Sequence, residues 1–247
     1  MKNTILLLIL ITLQLFSQTE DNMEINKLLL ESNYTKIVEV LEERIKNNEE
    51  LTDNDSLYLA IAYQRLVNHR KALSILVPLS RKNLKDFSVR FAVAESYKAM
   101  ENYRVASNIY HEIVVMDSSN TIARIELAKL QIRSMNFKDA KRHFEYLANS
   151  DTTNYYYKQE FGFCLYKLGK TNEAEEEFKN ALKINEFDSK AALWLAKIYY
   201  DRENYDEALE IIKRSIKVNP VDLQLNKLAA EILFKMKKYS SASVQYF

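Results

Sequence analysis

Residues 155–188 read YYYKQEFGFCLYKLGKTNEAEEEFKNALKINEFD: an apolar-studded run, a short turn at Leu168-Gly169-Lys170, and a second run with Ala174, Phe178 and Ala181 at helical spacing. The turn and the start of the second run recur along the chain. They appear as NYTKI ending at Ile37, NHRKA at Ala72, NYRVA at Ala106, NFKDA at Ala140, KTNEA at Ala174, NYDEA at Ala208 and KYSSA at Ala242. The first step is 35 residues and the next five are all 34, so the chain is a repeat array. Other columns run in phase. Twelve residues before the last six alanines stand Ala60, Ala94, Ala128, Gly162, Ala196 and Ala230, and four residues after them stand Leu76, Tyr110, Phe144, Phe178, Ile212 and Tyr246. Small side chains let paired helices approach to about 8 Å rather than about 10 Å. The large ones fill the space between pairs, each contributing about 1.5–3 kcal/mol when buried.

Composition agrees. The 247 residues are 47% hydrophobic and 28% charged, enough apolar surface for a sizeable core. Gly162, Gly169, Pro78 and Pro220 are the only glycines and prolines, too few for a phosphate-cradling glycine loop or for the turns of many strands. An all-α chain is predicted.

The 34-residue pattern resembles the tetratricopeptide repeat, a helix–turn–helix unit that stacks into a right-handed superhelical solenoid. The resemblance covers about residues 22–247. It implies about seven repeats, near 22–52, 53–86, 87–120, 121–154, 155–188, 189–222 and an incomplete 223–247. The best match is 155–188, through Gly162, Gly169, Ala174, Phe178 and Ala181; the next repeat adds Tyr199, Ala208 and Pro220. The signature's early tryptophan is missing, because Trp194 falls two places late, and most repeats lack the closing proline. The first repeat has Ile37 and no clear small residue in its first helix, as suits a terminal repeat. Pro78 falls inside a second helix, where it predicts a kink or a hinge. The last repeat ends on Val244, Tyr246 and Phe247 without a polar cap, which a partner would cover or which belongs to a longer protein.

Residues 1–18 read MKNTILLLILITLQLFSQ: one basic residue, an almost unbroken apolar run from Ile5 to Phe16, then a polar stretch. The run is shorter than the roughly 20 residues of a membrane span, and the pattern is that of a secretory signal peptide over residues 1–17, with an uncleaved anchor as the alternative. The expectation is an exported protein, periplasmic or secreted, with no membrane insertion once the leader is removed. The chain carries 35 basic and 34 acidic residues, mixed in sign, and so lacks the basic face a nucleic-acid binder needs. Cys164 is the only cysteine, so no internal disulfide forms.

No catalytic constellation emerges. His69, His111 and His143 lack grouped ligands and predict no metal site. Cys164 has no predictable histidine beside it and reads as a small core residue. Glu175, Glu176 and Glu177 are consecutive, so they spread around a helix and read as a solvated face. No cofactor and no enzyme activity is predicted.

In the family the resemblance points to, first helices line a concave groove for an extended peptide or a helix. Carried over by register, the groove positions include Leu57 and Ile61, then Phe91, Ile125, Lys129, Tyr156, Phe163, Tyr166, Lys197 and Tyr200. Rigid rings beside lysines suit a peptide site; the alternative is that a tight superhelix buries some of them against each other. The family's Lys/Asn clamp for a C-terminal carboxylate is not matched, since its places hold Leu57/Ile61, Phe91/Glu95 and Ile125/Lys129. The expected function is a non-catalytic protein–protein interaction scaffold or assembly factor of a bacterial envelope, with a protein or peptide partner. The alternatives are a subunit docking through its C-terminal repeat, and a small-ligand receptor or enzyme using the groove aromatics. If the register is right, Ala174→Leu or Ala208→Leu overpacks the helix pair and removes about 1–3 kcal/mol of stability; an unchanged thermal melt would count against it.

Overall fold

The computed structural model describes residues 20–82 and 85–237. The predicted leader over residues 1–17 and residues 238–247, among them Ala242, Val244, Tyr246 and Phe247, lie outside the described residues. The fold is an all-α repeat solenoid, and among the described residues the regular elements are thirteen helices. In chain order they are α1 (Glu20–Leu30), α2 (Tyr34–Lys46), α3 (Asp53–Arg65), α4 (His69–Lys82), α5 (Phe87–Ala99), α6 (Tyr103–Met116), α7 (Thr121–Arg133), α8 (Phe137–Ser150), α9 (Tyr155–Lys167), α10 (Thr171–Ile184), α11 (Ser189–Asp201), α12 (Tyr205–Ile216) and α13 (Leu223–Lys235). The chain divides into two compact units, one ending at Ala123 and one beginning at Arg124.

The turn inside each repeat is built the same way throughout. Ser32, Val67, Glu101, Met135, Gly169, Glu203 and Lys237 all have positive φ, between 55° and 77°. After each of the first six, the next backbone N–H reaches back to a carbonyl five residues earlier: Asn33 to Leu28, Asn68 to Tyr63, Asn102 to Tyr97, Asn136 to Gln131, Lys170 to Leu165 and Asn204 to Tyr199, at 2.8–2.9 Å. That is a Schellman closure of the first helix. The residue that closes it also begins the next helix; asparagine stands there in five of the six turns, although the Asn102 and Asn204 side chains make no cap bond. Asn33, Asn68 and Asn136 side chains accept the N–H of Lys36, Lys71 and Asp139. The turns between repeats use the same chemistry: Asp86, Asn120, Asn154, Asp188 and Asp222 each accept a backbone N–H of the helix that follows. Thr52 and Asp55 form a capping box at α3.

Between the helices of each pair, Ala72, Ala106, Ala140, Ala174 and Ala208 are fully buried, and so are Ala60, Ala94, Ala128, Ala196 and Ala230. A Cβ placed on Gly162 would sit 3.0 Å from the Phe178 ring, so an alanine there would displace that ring by a few tenths of an ångström. Leu76, Tyr110, Phe144, Phe178 and Ile212 are likewise fully buried. In the first unit, the Gln64 side-chain amide on α3 donates to Ala92 O and Ser96 Oγ on α5, each at 2.6 Å, which ties neighbouring first helices together. α4 continues a turn beyond Pro78 to Lys82, where Ser80 Oγ donates to Val77 O at 2.9 Å.

The turn column stores strain unevenly. A left-handed residue with a Cβ costs about 1–2 kcal/mol, and Val67 is β-branched and 76% exposed, so no packing offsets it. Gly169 has open space where a Cβ would stand, so its only advantage is conformational. Val67→Gly is expected to raise stability by about 1 kcal/mol, and Gly169→Val to lower it by about 1–2 kcal/mol. Urea unfolding of the two variants checks both signs.

Candidate functional site

In the second unit the first helices bring aromatic rings together at the surface. Trp194 on α11 stands 5.1 Å from Phe163 and 5.0 Å from Tyr166, both on α9, with tilted rings. Phe137, at the start of α8, meets Phe163 edge-on at 6.0 Å. Ring pairs in such geometries add about 0.5–1.5 kcal/mol beyond area burial. Phe163, Tyr166 and Trp194 remain half-buried rather than sealed in the core. Lys167 places its ammonium 5.4 Å from the Phe163 ring and 5.0 Å from the Trp194 ring, and Lys197 stands 5.4 Å from Trp194. The Tyr166 hydroxyl donates to Asp201 at 3.5 Å, and burial together with that carboxylate pushes the phenol's pKa up.

The other positions named from sequence have separate places. Phe91 is buried, its ring 5.7 Å from Tyr110, and Leu57 and Ile61 are buried in the core of the first unit. These three face packing neighbours, so they give a ligand nothing to rest on. Glu95 accepts from the Tyr110 hydroxyl and from Lys98, which ties that position inward as well. Ile125 is half-buried against the core containing Phe144. Lys129 pairs with Glu126 at 2.9 Å and stands 5.9 Å over Tyr156, which packs edge-on against Phe144 at 6.1 Å. Tyr200 packs on Tyr205, at 5.7 Å. Of the residues named, Phe163, Tyr166 and Lys197 come together. Trp194, Phe137 and Lys167 belong with them and were missed, because the register took one residue per turn and Trp194 and Lys167 lie beside the chosen places.

A second feature of this unit is buried charge. Glu160 and Asp188 are both less than a tenth exposed. Glu160 accepts from Gln159 at 2.9 Å and lies 3.6 Å from the Lys190 ammonium; burial nevertheless holds its pKa above the usual carboxylate range. Asp188 caps α11 through one oxygen, and its Oδ2 has no hydrogen-bond partner; burial raises its pKa too. Cys164 is fully buried, and burial with Glu160 nearby pushes its thiol up to about 12, far from a reactive thiolate.

The glutamate run is not a uniformly solvated face. Glu175 is mostly buried, at 15% side-chain exposure, and accepts from Lys179, from the Tyr199 hydroxyl at 3.1 Å and from Arg202, which also holds Asn172 at 2.8 Å. Burial works against its charge, but the three donors outweigh it and the pKa falls. Glu177 is half-buried with its pKa raised by burial, and Glu176 alone is exposed. The run spreads around α10 as its spacing requires, but two of its three positions face α9 or α11 rather than water.

His143 Nδ1 lies 3.3 Å from the Arg124 guanidinium and His111 is exposed. Among the described residues no three His, Cys, Asp or Glu side chains are grouped to hold a metal, and no helix is long and apolar enough to cross a membrane.

Two family models match: one described as tetratricopeptide repeat, over residues 156–188, and one described as anaphase-promoting complex, cyclosome, subunit 3, over residues 178–246. No curated protein matches. Among solved structures, the C-terminal part of a repeat-containing protein from Cytophaga hutchinsonii superposes with a TM-score of 0.72 at 16% identity, covering 91% of this chain and 90% of that one. A tetratricopeptide repeat protein from Parabacteroides merdae gives 0.68 at 19%, covering 78% and 77%. YrrB, described as having an unusual peptide-binding site, gives 0.62 at 17%, covering 76% and 96%. At these identities the likeness is one of fold.

The buried carboxylate makes stability pH-dependent in a stated direction. The folded pKa of Glu160 lies above its unfolded value of about 4.3, so its charged form opposes folding at neutral pH and its protonated form does not. Glu160→Gln is therefore expected to stabilise the chain at pH about 7, with the gain shrinking to nothing as pH falls below about 4. Urea unfolding of both proteins across that range checks it; a variant less stable at neutral pH would mean that the Lys190 contact outweighs burial.

Proposed function

We propose that this tetratricopeptide-repeat protein is a non-catalytic interaction scaffold or assembly factor, exported to a bacterial envelope, that docks a peptide or helix of a partner protein on the first-helix face of its second unit. The observation that carries the reading is the ring cluster of Phe163, Tyr166 and Trp194, held at the surface by two neighbouring helices. Aromatic side chains offer large contact area at small ordering cost, and interfaces concentrate their binding energy on such anchors. A site fixed by helix packing also loses little conformational freedom on binding, so more of the contact energy appears as affinity. The apolar leader at Ile5 to Phe16 supports export. Against chemistry, the group with the most nucleophilic potential, Cys164, is buried and protonated, and the Glu175 cluster is already saturated by its own donors.

The test is affinity capture of the tagged chain from native envelope, run in parallel with a Phe163→Ala/Tyr166→Ala variant of verified helicity. One partner recovered with the wild type and lost with the variant is the expected result. The same partner retained by the variant would remove the ring cluster as the docking site.

A further inference from the structure

Among the lysines of the first helices, Lys167 and Lys197 share one aromatic ring. Lys98, Lys129, Lys190 and Lys227 each reach a carboxylate, from 2.6 Å for Lys98–Glu95 to 4.0 Å for Lys227–Glu231. Lys167 and Lys197 are exposed, and among the described residues neither has a carboxylate within 4.0 Å. Both ammonium groups are instead drawn to one ring, at 5.0 and 5.4 Å from the centre of Trp194. The ring's negative face attracts each cation, while the two like charges repel each other. Asp201, four residues after Lys197, accepts from the Tyr166 hydroxyl at 3.5 Å and lies more than 4.0 Å from both ammonium groups. Two ammonium groups with spare hydrogen-bond donors thus flank a half-buried apolar platform in a chain that is otherwise charge-balanced.

Resting on the reading that this face is the docking surface, the geometry points to an acidic partner: an extended segment with a carboxylate next to an aromatic or branched apolar side chain. The carboxylate lies between the Lys167 and Lys197 ammonium groups, and its apolar neighbour packs on Phe163, Tyr166 and Trp194. Binding removes the repulsion between the two lysines and makes charge-assisted hydrogen bonds, while leaving the cation–ring contacts in place. A basic segment meets the opposite balance and is rejected.

Trp194 is the only tryptophan of the chain, so its fluorescence reports occupancy of this site directly. The whole chain is titrated with a short peptide of alternating Glu and Leu ending in Phe, and with the counterpart in which every Glu is Lys. The acidic peptide is expected to shift Trp194 emission saturably, with a Kd that rises with salt. Lys167→Gln/Lys197→Gln should weaken it by about tenfold or more, while Lys213→Gln on α12 leaves it unchanged. Equal or tighter binding of the Lys peptide, or an unchanged Kd in the double variant, overturns the acidic-partner inference and leaves the docking face standing. No emission change with either peptide also overturns it. The docking face itself falls only if, in addition, the captured partner survives Phe163→Ala/Tyr166→Ala.

Discussion

The distance at which two helices of one repeat pass each other governs the rest of this structure. That distance is set by a column of alanines, Ala72 to Ala208 at 34-residue steps, facing a second column that runs from Ala60 to Ala230 with Gly162 in its midst. With no side chain beyond Cβ on either side, the backbones come close. The large residue one turn along, such as Phe144 or Phe178, then reaches across to seal the gap completely. A single pair cannot bury both of its faces, so each repeat depends on its neighbour. The close pair must also be joined by a very short link, and this is where the left-handed turn residue comes from. One residue at positive φ closes the first helix by a Schellman bond and lets the following asparagine start the second.

Most of this was legible in the sequence because it is periodic in residue type. The alanine and large-residue columns stand out at their spacing, and the recurrent asparagine marks the turn even before its capping role is known. The left-handed column is different. It holds Ser32, Val67, Glu101, Met135, Gly169, Glu203 and Lys237, which share a backbone conformation and no chemistry, so only Gly169 signals it. Local preference is overridden there by the geometry the packed pair demands.

The candidate site was less legible, and the reason lies in what a helix position faces. Register predicts which side of a helix a residue is on, but not how far its neighbour's side chains extend. Phe91 is on the expected side and is nevertheless buried against Tyr110, as Leu57 and Ile61 are in their own core. In the second unit Phe163, which stands at the place of Ile61 three repeats on, and Tyr166 find Trp194 beside them and stay half-exposed. Charge misled for a similar reason: three consecutive glutamates look solvated until Arg202 and Tyr199 from the next repeat are brought to Glu175.

That glutamate also helps place the site. Tyr199 lies in the last turn of α11 and Arg202 caps its C-terminus, and both are drawn to Glu175 on α10, with Arg202 held further by Asn172. A mostly buried carboxylate with three donors is costly to displace, because each donor that leaves removes a charge-assisted hydrogen bond from a charge with little access to water. The contact therefore restrains α11 about its own axis, and Trp194 and Lys197 lie on the preceding turns of that helix. Rotation of α11 would carry the Trp194 ring away from Phe163 and Tyr166 and separate it from Lys167. The polar network at the end of the helix thereby supports the aromatic surface on its preceding turns. In this unit ionic and apolar contacts are successive links in one chain of support: alanine columns fix the pairs, pairs fix the turns, and the Glu175 network fixes how the last ring is presented.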